Sequence, residues 1–356
     1  MNSINKGRII LLSLIFSIVM VLAACGGSSQ SSGSSGGNTG TSTGETSTEE
    51  AQSYDLKMSV TVGEGSTWYE AAKKLADDIE KETEGRIKIE VFTNEQLSGG
   101  DSGKAVEGLA KGSIDLTFNS TIIYSILDPK FGVASAPFLF DNHDQVDKVF
   151  AGKGGELIKQ LLAEKGVHAL GYGENGFRQL TNSKVNVKSP ADLQGLKIRI
   201  PGITMYTDLF RELGTDPATM TFSEVFTALQ QGTIDGQENP IDVIYSSKLD
   251  EVQEYLTLWN YSYDPLVLGI NKELYDSMSD DDKALFDRLG SEAAAYQVQI
   301  TRERETEQLK ELEEKGMTVY TPTEDEIKAF KEKVQPIYEK YESIWGTELL
   351  EAFQER

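Results

Sequence analysis

The sequence predicts an α/β protein of two domains, and three features predict it. Strand-like and helix-like runs alternate from residue 54 onward. The alternation restarts after residue 176. A single helical run from about 280 to 314 is long enough to touch both halves. The chain has 356 residues, and about 300 of them follow Tyr54, room for two domains of common size.

The elements follow in order. Asp55 to Val62 reads as a strand, and Arg86 to Phe92 as a second. Between them, Trp68 to Glu82 carries Ala72, Leu75, Ala76 and Ile79 at helical spacing. A helix near Gly103 to Gly112 leads to a third strand at Ile114 to Phe118, and this order implies a largely parallel sheet. After residue 176 the expected strands are 196–200 and 255–261, with helices at 204–213 and 222–231. Val167 to Thr181 and Tyr255 to Ile270 are long for strands and hold small or turn-prone residues, so either could cross between domains. Ser279 is placed to cap the long helix, whose stripe runs Leu285, Leu289, Ala293, Tyr296, Ile300, then Leu309 and Leu312. At 1.5 Å per residue it would span about 50 Å. A coiled coil is the rival reading, but the stripe lapses around Arg302 to Thr306.

The front of the chain speaks to location. Lys6 and Arg8 precede an uncharged apolar run, Ile9 to Ala23, shorter than the roughly 20 residues of a membrane span. It ends Leu22-Ala23-Ala24-Cys25 and resembles a bacterial lipoprotein signal. Residues 1–24 are therefore expected to be a signal peptide. Cys25 is expected to carry the lipid that holds the protein on the outer face of the cytoplasmic membrane. Residues 25–53 are mostly Gly, Ser and Thr after the cysteine, a flexible tether with a reach of roughly 30 Å. Cys25 is the only cysteine, which excludes a disulfide framework, thiolate metal sites and a cysteine nucleophile in the remainder.

Catalytic and nucleic-acid chemistry finds little support. The formal charge is −23, which disfavours a phosphate backbone as partner. The two histidines, His143 in an expected loop and His168 on an expected strand, have no partner pattern for a metal site or a nucleophilic triad. No cofactor is expected. A pair of carboxylates of glycosidase type stays possible, because no pair among so many is marked. Gly171-Tyr172-Gly173-Glu174-Asn175-Gly176 has GxGxxG spacing, but it runs into strand-like Phe177 to Asn182 rather than opening a helix, and Glu174 would oppose a phosphate.

The stretch Leu196 to Pro240 carries the functional signal. Arg199 sits in a strand-like run, LKIRI, followed by Pro201 and Gly202. Arg178 is flanked in the same way by apolar residues. A guanidinium offers a carboxylate two parallel charge-assisted hydrogen bonds. Asn239 could add an amide donor and Phe222 an apolar wall.

From Tyr54 onward the chain resembles the DctP-type solute-binding proteins of tripartite ATP-independent periplasmic (TRAP) transporters. The resemblance is densest in ENGFRQ (174–179), LQGLKIRIP (193–201), FSEVFTALQ (222–230) and DGQENP (235–240). It implies a periplasmic-binding-protein-like fold with hinge strands and a long domain-bridging helix. The domains would be 54–175 with 265–303 and 176–264 with 304–356. It also implies a carboxylate ligand in the interdomain cleft, with Arg199 as principal partner, Arg178 and Asn239 as companions and Phe222 in contact. The first-domain positions expected to face the cleft are Thr61, Trp68, Asn119, Ser120 and Tyr124, none of them charged. Sialate-binding members carry a glutamate and an arginine where this chain has Ser120 and Ile123. These neutral groups favour a sugar acid, such as a uronate or aldonate, over a C4-dicarboxylate. The resemblance further implies TRAP permease subunits as partners, a monomer and no enzymatic activity. The alternatives are a dicarboxylate carrier and a ligand sensor that presents its closed form to a membrane receptor.

Overall fold

The structure, a computed structural model, describes residues 52–355. The signal segment, Cys25 and most of the tether lie outside the described residues. Eleven strands form two sheets. In chain order they are β1 (Tyr54–Val60), β2 (Ile87–Phe92), β3 (Leu116–Ser120), β4 (Val167–Phe177), β5 (Gln179–Asn182), β6 (Lys197–Ile200), β7 (Asp216–Thr219), β8 (Gly236–Asn239), β9 (Tyr255–Thr257), β10 (Tyr263–Asn271) and β11 (Thr318–Tyr320). The first sheet has the order β2-β1-β3-β10-β4, the second β11-β9-β5-β8-β6-β7.

Each sheet is parallel where βαβ units build it, as between β1, β2 and β3 and between β6, β7 and β8. The crossing segments break that rule. β10 runs antiparallel to β3 and β4, and β5 antiparallel to β8 and β9. β4 belongs to the first sheet and ends at Phe177, and β5 begins at Gln179 in the second. Arg178 is the single residue between them. Its N–H leaves the ladder to bond the Ser262 carbonyl at 2.8 Å. The expected strand at 255–261 is shorter, Tyr255–Thr257, because the chain leaves the second sheet there and enters the first as β10.

The long helix runs Asp280–Glu314, and Ser279 caps it by accepting from the Asp282 N–H. Phe286, Leu289 and Ala293 pack with Met58, Trp68, Leu75 and Phe118 beside the first sheet. Leu312 joins Val225, Leu229 and Leu256 beside the second. The lapse in its apolar stripe has a cause. On either side of it Gln297, Thr301 and Gln308 are buried and bond polar groups of other elements. Gln308 donates to Asp242 at 2.8 Å, and Thr301 reaches Thr67, which itself donates to Asp242 at 3.0 Å. No described helix is long and apolar enough to cross a membrane.

The glycines of the GxGxxG run lie within β4. A Cβ on Gly171 would meet Ala294 at 2.6 Å, and one on Gly173 would meet the Phe118 ring at 2.6 Å. Gly171 permits close packing of β4 on the long helix, and Gly173 leaves room for the Phe118 ring of β3. His143 corrects an expectation: it opens the helix His143–Ala151, capped by Asn142, rather than lying in a loop. His168 lies on β4 as expected, stacked on Tyr275.

Candidate functional site

The parallel strands present their C-terminal ends to one cavity of about 50 Å³. Thr61 follows β1, Asn119 and Ser120 end β3, Arg199 comes from β6 and Asn239 ends β8. Trp68 and Phe222 enter from the first turns of helices Thr67–Glu82 and Phe222–Gln230. The crossing segments add Asn175, Arg178 and Asp264. Eight of the nine side chains expected at the site therefore line one cavity. Tyr124 does not: its ring is buried against Phe131, its hydroxyl lies 3.1 Å from Thr117, and Ile122 and Ile123 line the wall instead.

The two arginines differ. Arg178 is fully committed. Its guanidinium bonds both carboxylate oxygens of Glu238, donates to Asp264 at 2.6 Å, and reaches the Glu238 carbonyl at 2.8 Å and Asn239 Oδ1 at 3.2 Å. Burial works against its charge, yet Glu238 and Asp264 hold it firmly protonated, well above the ordinary arginine value. Arg199 is as deeply buried, 4 % exposed, but it forms no ion pair among the described residues. Nε and Nη2 donate to the Met220 carbonyl at 3.2 and 2.9 Å. Phe222 lies with its ring centroid 5.6 Å from the guanidinium carbon. Burial is the main force that lowers its pKa to about 10, Glu238 opposes the shift, and the Arg178 charge adds to it. At neutral pH it remains a cation, held in a wall where an anion would relieve that strain.

The rest of the wall offers neutral polar groups. Two residues that line it each carry a buried polar atom with no hydrogen-bond partner among the described residues: Trp68 at its indole Nε1 and Asn175 at its side-chain oxygen. One is a donor and the other an acceptor, a pair that suits hydroxyls. Asn175 Nδ2 donates to Asp264 at 2.7 Å, and Ser120 Oγ donates to the other oxygen of the same carboxylate. Burial pushes the Asp264 carboxyl upward, against the pull of Arg178. Asn239 is fixed by Arg178 and by Gln237, which accepts from its Nδ2 at 2.5 Å.

Behind the wall stands Glu95, buried without a cation. It accepts from Ser59 and Thr61 at 2.7 Å each and from Asn119 at 3.0 Å. Burial pushes its carboxyl up while those hydroxyls and the amide partly offset the rise. Glu95 thereby sets the orientation of two lining side chains. Sequence reasoning missed Glu95, Glu238 and Asp264. Of these, only Glu238 had a signal, its place in DGQENP beside Asn239.

The family model DctP, bacterial extracellular solute-binding protein family 7, matches residues 58–344. The 2,3-diketo-L-gulonate-binding periplasmic protein YiaO of Escherichia coli is 34% identical over 313 residues, 87% of this chain and 94% of that protein. The sugar acid binding protein DctPAm of Advenella mimigardefordensis, solved with galactonate, is similar with a TM-score of 0.82 at 34% identity, over 86% of this chain and 98% of that one. A TRAP periplasmic solute-binding protein from Sulfurospirillum deleyianum, solved with succinate, is similar with a TM-score of 0.80 at 27% identity, over 85% and 99% of the two chains.

Proposed function

The chain belongs to the DctP family of bacterial extracellular solute-binding proteins, and from that premise we propose that its cargo is a sugar acid with one carboxylate, held by Arg199. Its relatives are substrate-binding transport proteins, not enzymes, and it is a solute-binding protein of the TRAP type.

The observation that carries the cargo assignment is the contrast between the two buried arginines. Arg199 has no carboxylate partner, whereas Arg178 has two. One ligand carboxylate meets a buried cation. A second would face Asp264 with its counter-ion already engaged, and burying an uncompensated charge is costly. Trp68 Nε1 and Asn175 Oδ1 instead suit hydroxyl groups. The galactonate-bound and diketogulonate-binding relatives agree in ligand class. The succinate-bound relative represents the rival class.

In this reading Arg178 positions Glu238 and Asn239, and Arg199, Asn239, Phe222, Trp68, Asn119, Ser120 and Thr61 surround the acid. The lobes would be 54–175 with 265–303 and 176–264 with 304–356, closing on the ligand about the crossing segments. Ligand energy favours the closed state in proportion to its differential affinity. The closed form would pass cargo to TRAP permease subunits, with lipidated Cys25 keeping the protein at the outer face of the cytoplasmic membrane.

A thermal-shift screen of residues 52–356 against aldonates, uronates and C4-dicarboxylates tests the reading. A ligand at 100 times its Kd should add about 2.7 kcal/mol of apparent stability. Aldonates or uronates should raise the Tm, and succinate should not. A shift from dicarboxylates alone, or from neutral sugars alone, would overturn it.

A further inference from the structure

A second cavity adjoins the first. At about 220 Å³ it is the larger of the two, and Thr61 and Phe222 belong to the walls of both. It is bounded by Gly63, Asn94 and Glu95 on one side and by Ser223, Phe226 and Ser246 on the other. No cation lines it, so it does not suit a second carboxylate. Its polar atoms are hydroxyls, an amide and the Glu95 carboxylate. One lining residue, Ser246, carries a buried hydroxyl with no hydrogen-bond partner among the described residues.

The first cavity is small. A water needs about 10–15 Å³ of such space, so about 50 Å³ takes roughly four water-sized groups. That accommodates a carboxylate and the carbons next to it, not an extended six-carbon acid. Thr61 cannot swing away to widen it at no cost, because its hydroxyl is tied to Glu95 at 2.7 Å. The roomy side lies past Thr61 and Phe222.

We propose that the second cavity is a distal subsite that takes the uncharged polyhydroxyl tail of the acid, with the Ser246 hydroxyl as one of its partners. The protein thereby selects acids long enough to extend from Arg199 past Phe222. This rests on the sugar-acid reading and adds to it which acids within that class are preferred: five- and six-carbon aldonates over three- and four-carbon ones.

Two substitutions fill the subsite without touching Arg199. A Cβ on Gly63 meets only the Asn94 side chain, at 3.7 Å and beyond, so the side chain of Gly63→Val begins without a clash. Ser246→Leu fills the opposite wall, and Ser246→Ala removes only the hydroxyl. Calorimetric titration uses glycerate, erythronate and gluconate as probes, with the Tm of each variant recorded. The wild type should bind gluconate at least tenfold more tightly than glycerate. Either filling variant should lose about tenfold or more for gluconate while holding glycerate and erythronate within about threefold. Ser246→Ala should show a smaller loss, also confined to gluconate. Equal loss for all three acids, or no loss for gluconate in a variant whose Tm is unchanged, would overturn the subsite and leave the sugar-acid reading standing. Binding of none of the three by the wild type, alongside tight succinate binding, would overturn that reading itself.

Discussion

At the scale of single residues, two arginines of the same sequence character do different physical work. Both sit on strand-like runs in matching apolar settings, and the sequence marked both as carboxylate partners. Glu238 and Asp264, which claim Arg178, lie 60 and 86 residues further along the chain. No local spacing reveals such a pairing, so the division of labour was not legible. Arg199 was legible because its setting is local: the strand buries it and the chain after β7 supplies only a carbonyl. Tyr124 was misplaced for a related reason. A helical turn, Thr121–Tyr124, follows β3 directly and rotates the ring into the core. The expected outcomes separate the arginines. Arg199→Ala should cost about 2–5 kcal/mol of ligand affinity, roughly thirty- to several-thousand-fold, because it strands a buried carboxylate. Its Tm without ligand should change little or rise, since a desolvated cation is removed. Arg199→Lys should also weaken binding, because the planar fork is lost. Arg178→Ala should instead cost about 3–5 kcal/mol of stability with no ligand present, by leaving Glu238 and Asp264 buried and unpaired. Urea denaturation beside calorimetry distinguishes the two. An Arg199 variant that keeps its affinity, or an Arg178 variant that keeps its stability, would refute the assignment.

At the scale of elements, the crossing strands and the long helix were legible and their junction was not. The bounds of the long helix follow from its cap and its stripe. What lies beside its lapse follows from tertiary structure. Arg302 there forms a two-point pair with Asp147, at 2.7 and 2.8 Å, and donates to Glu174 of β4 at 2.6 Å. His143 Nε2 lies 3.3 Å from the other Glu174 oxygen. The contact to Glu174 raises the His143 pKa above 6.5, against the opposing effect of burial. A base whose folded pKa is raised contributes stability that is fully present below the unfolded value and is lost as pH rises through the folded one. Glu174 itself is held low, with the His143 and Arg302 contacts outweighing burial, so it stays ionised across that window. Glu305, also near, is pushed up by burial and acts in the same direction as His143. The difference between wild type and His143→Gln isolates the imidazole. Wild type should gain stability relative to this variant as pH falls from about 8 to 5, and the gap should close at high pH. A gap independent of pH, measured by urea denaturation across that range, would show that folding leaves the His143 pKa at its unfolded value.

At the scale of the whole molecule, a chain of formal charge −23 captures an anion. The α/β class and the repeated βαβ order were legible because hydrophobic periodicity is a local property. The antiparallel strands inside each sheet were not, since they arise where the chain changes sheet. The charge balance, by contrast, is read from composition alone and has a kinetic consequence. As the proposed carboxylate partner, Arg199 would act at short range inside the cavity, whereas the net negative surface acts at any distance that salt does not screen. The Debye length is about 30 Å at 0.01 M salt and about 8 Å at 0.15 M. At low salt an approaching carboxylate therefore meets the repulsion of the whole molecule before it senses Arg199, and at physiological salt it does not. Association of gluconate should accelerate as ionic strength rises between those limits, the reverse of electrostatic steering, while dissociation from the cavity should stay nearly constant. Stopped-flow intrinsic fluorescence can follow both steps, since Trp68 lines the cavity. Chloride is the necessary control, because an anion that competes for Arg199 would slow binding at high salt. A set of salts with anions of different size, all giving the same acceleration, would establish screening. A fall in the association rate common to all of them would instead show that the positive field of the cleft extends beyond its mouth and outweighs the acidic surface.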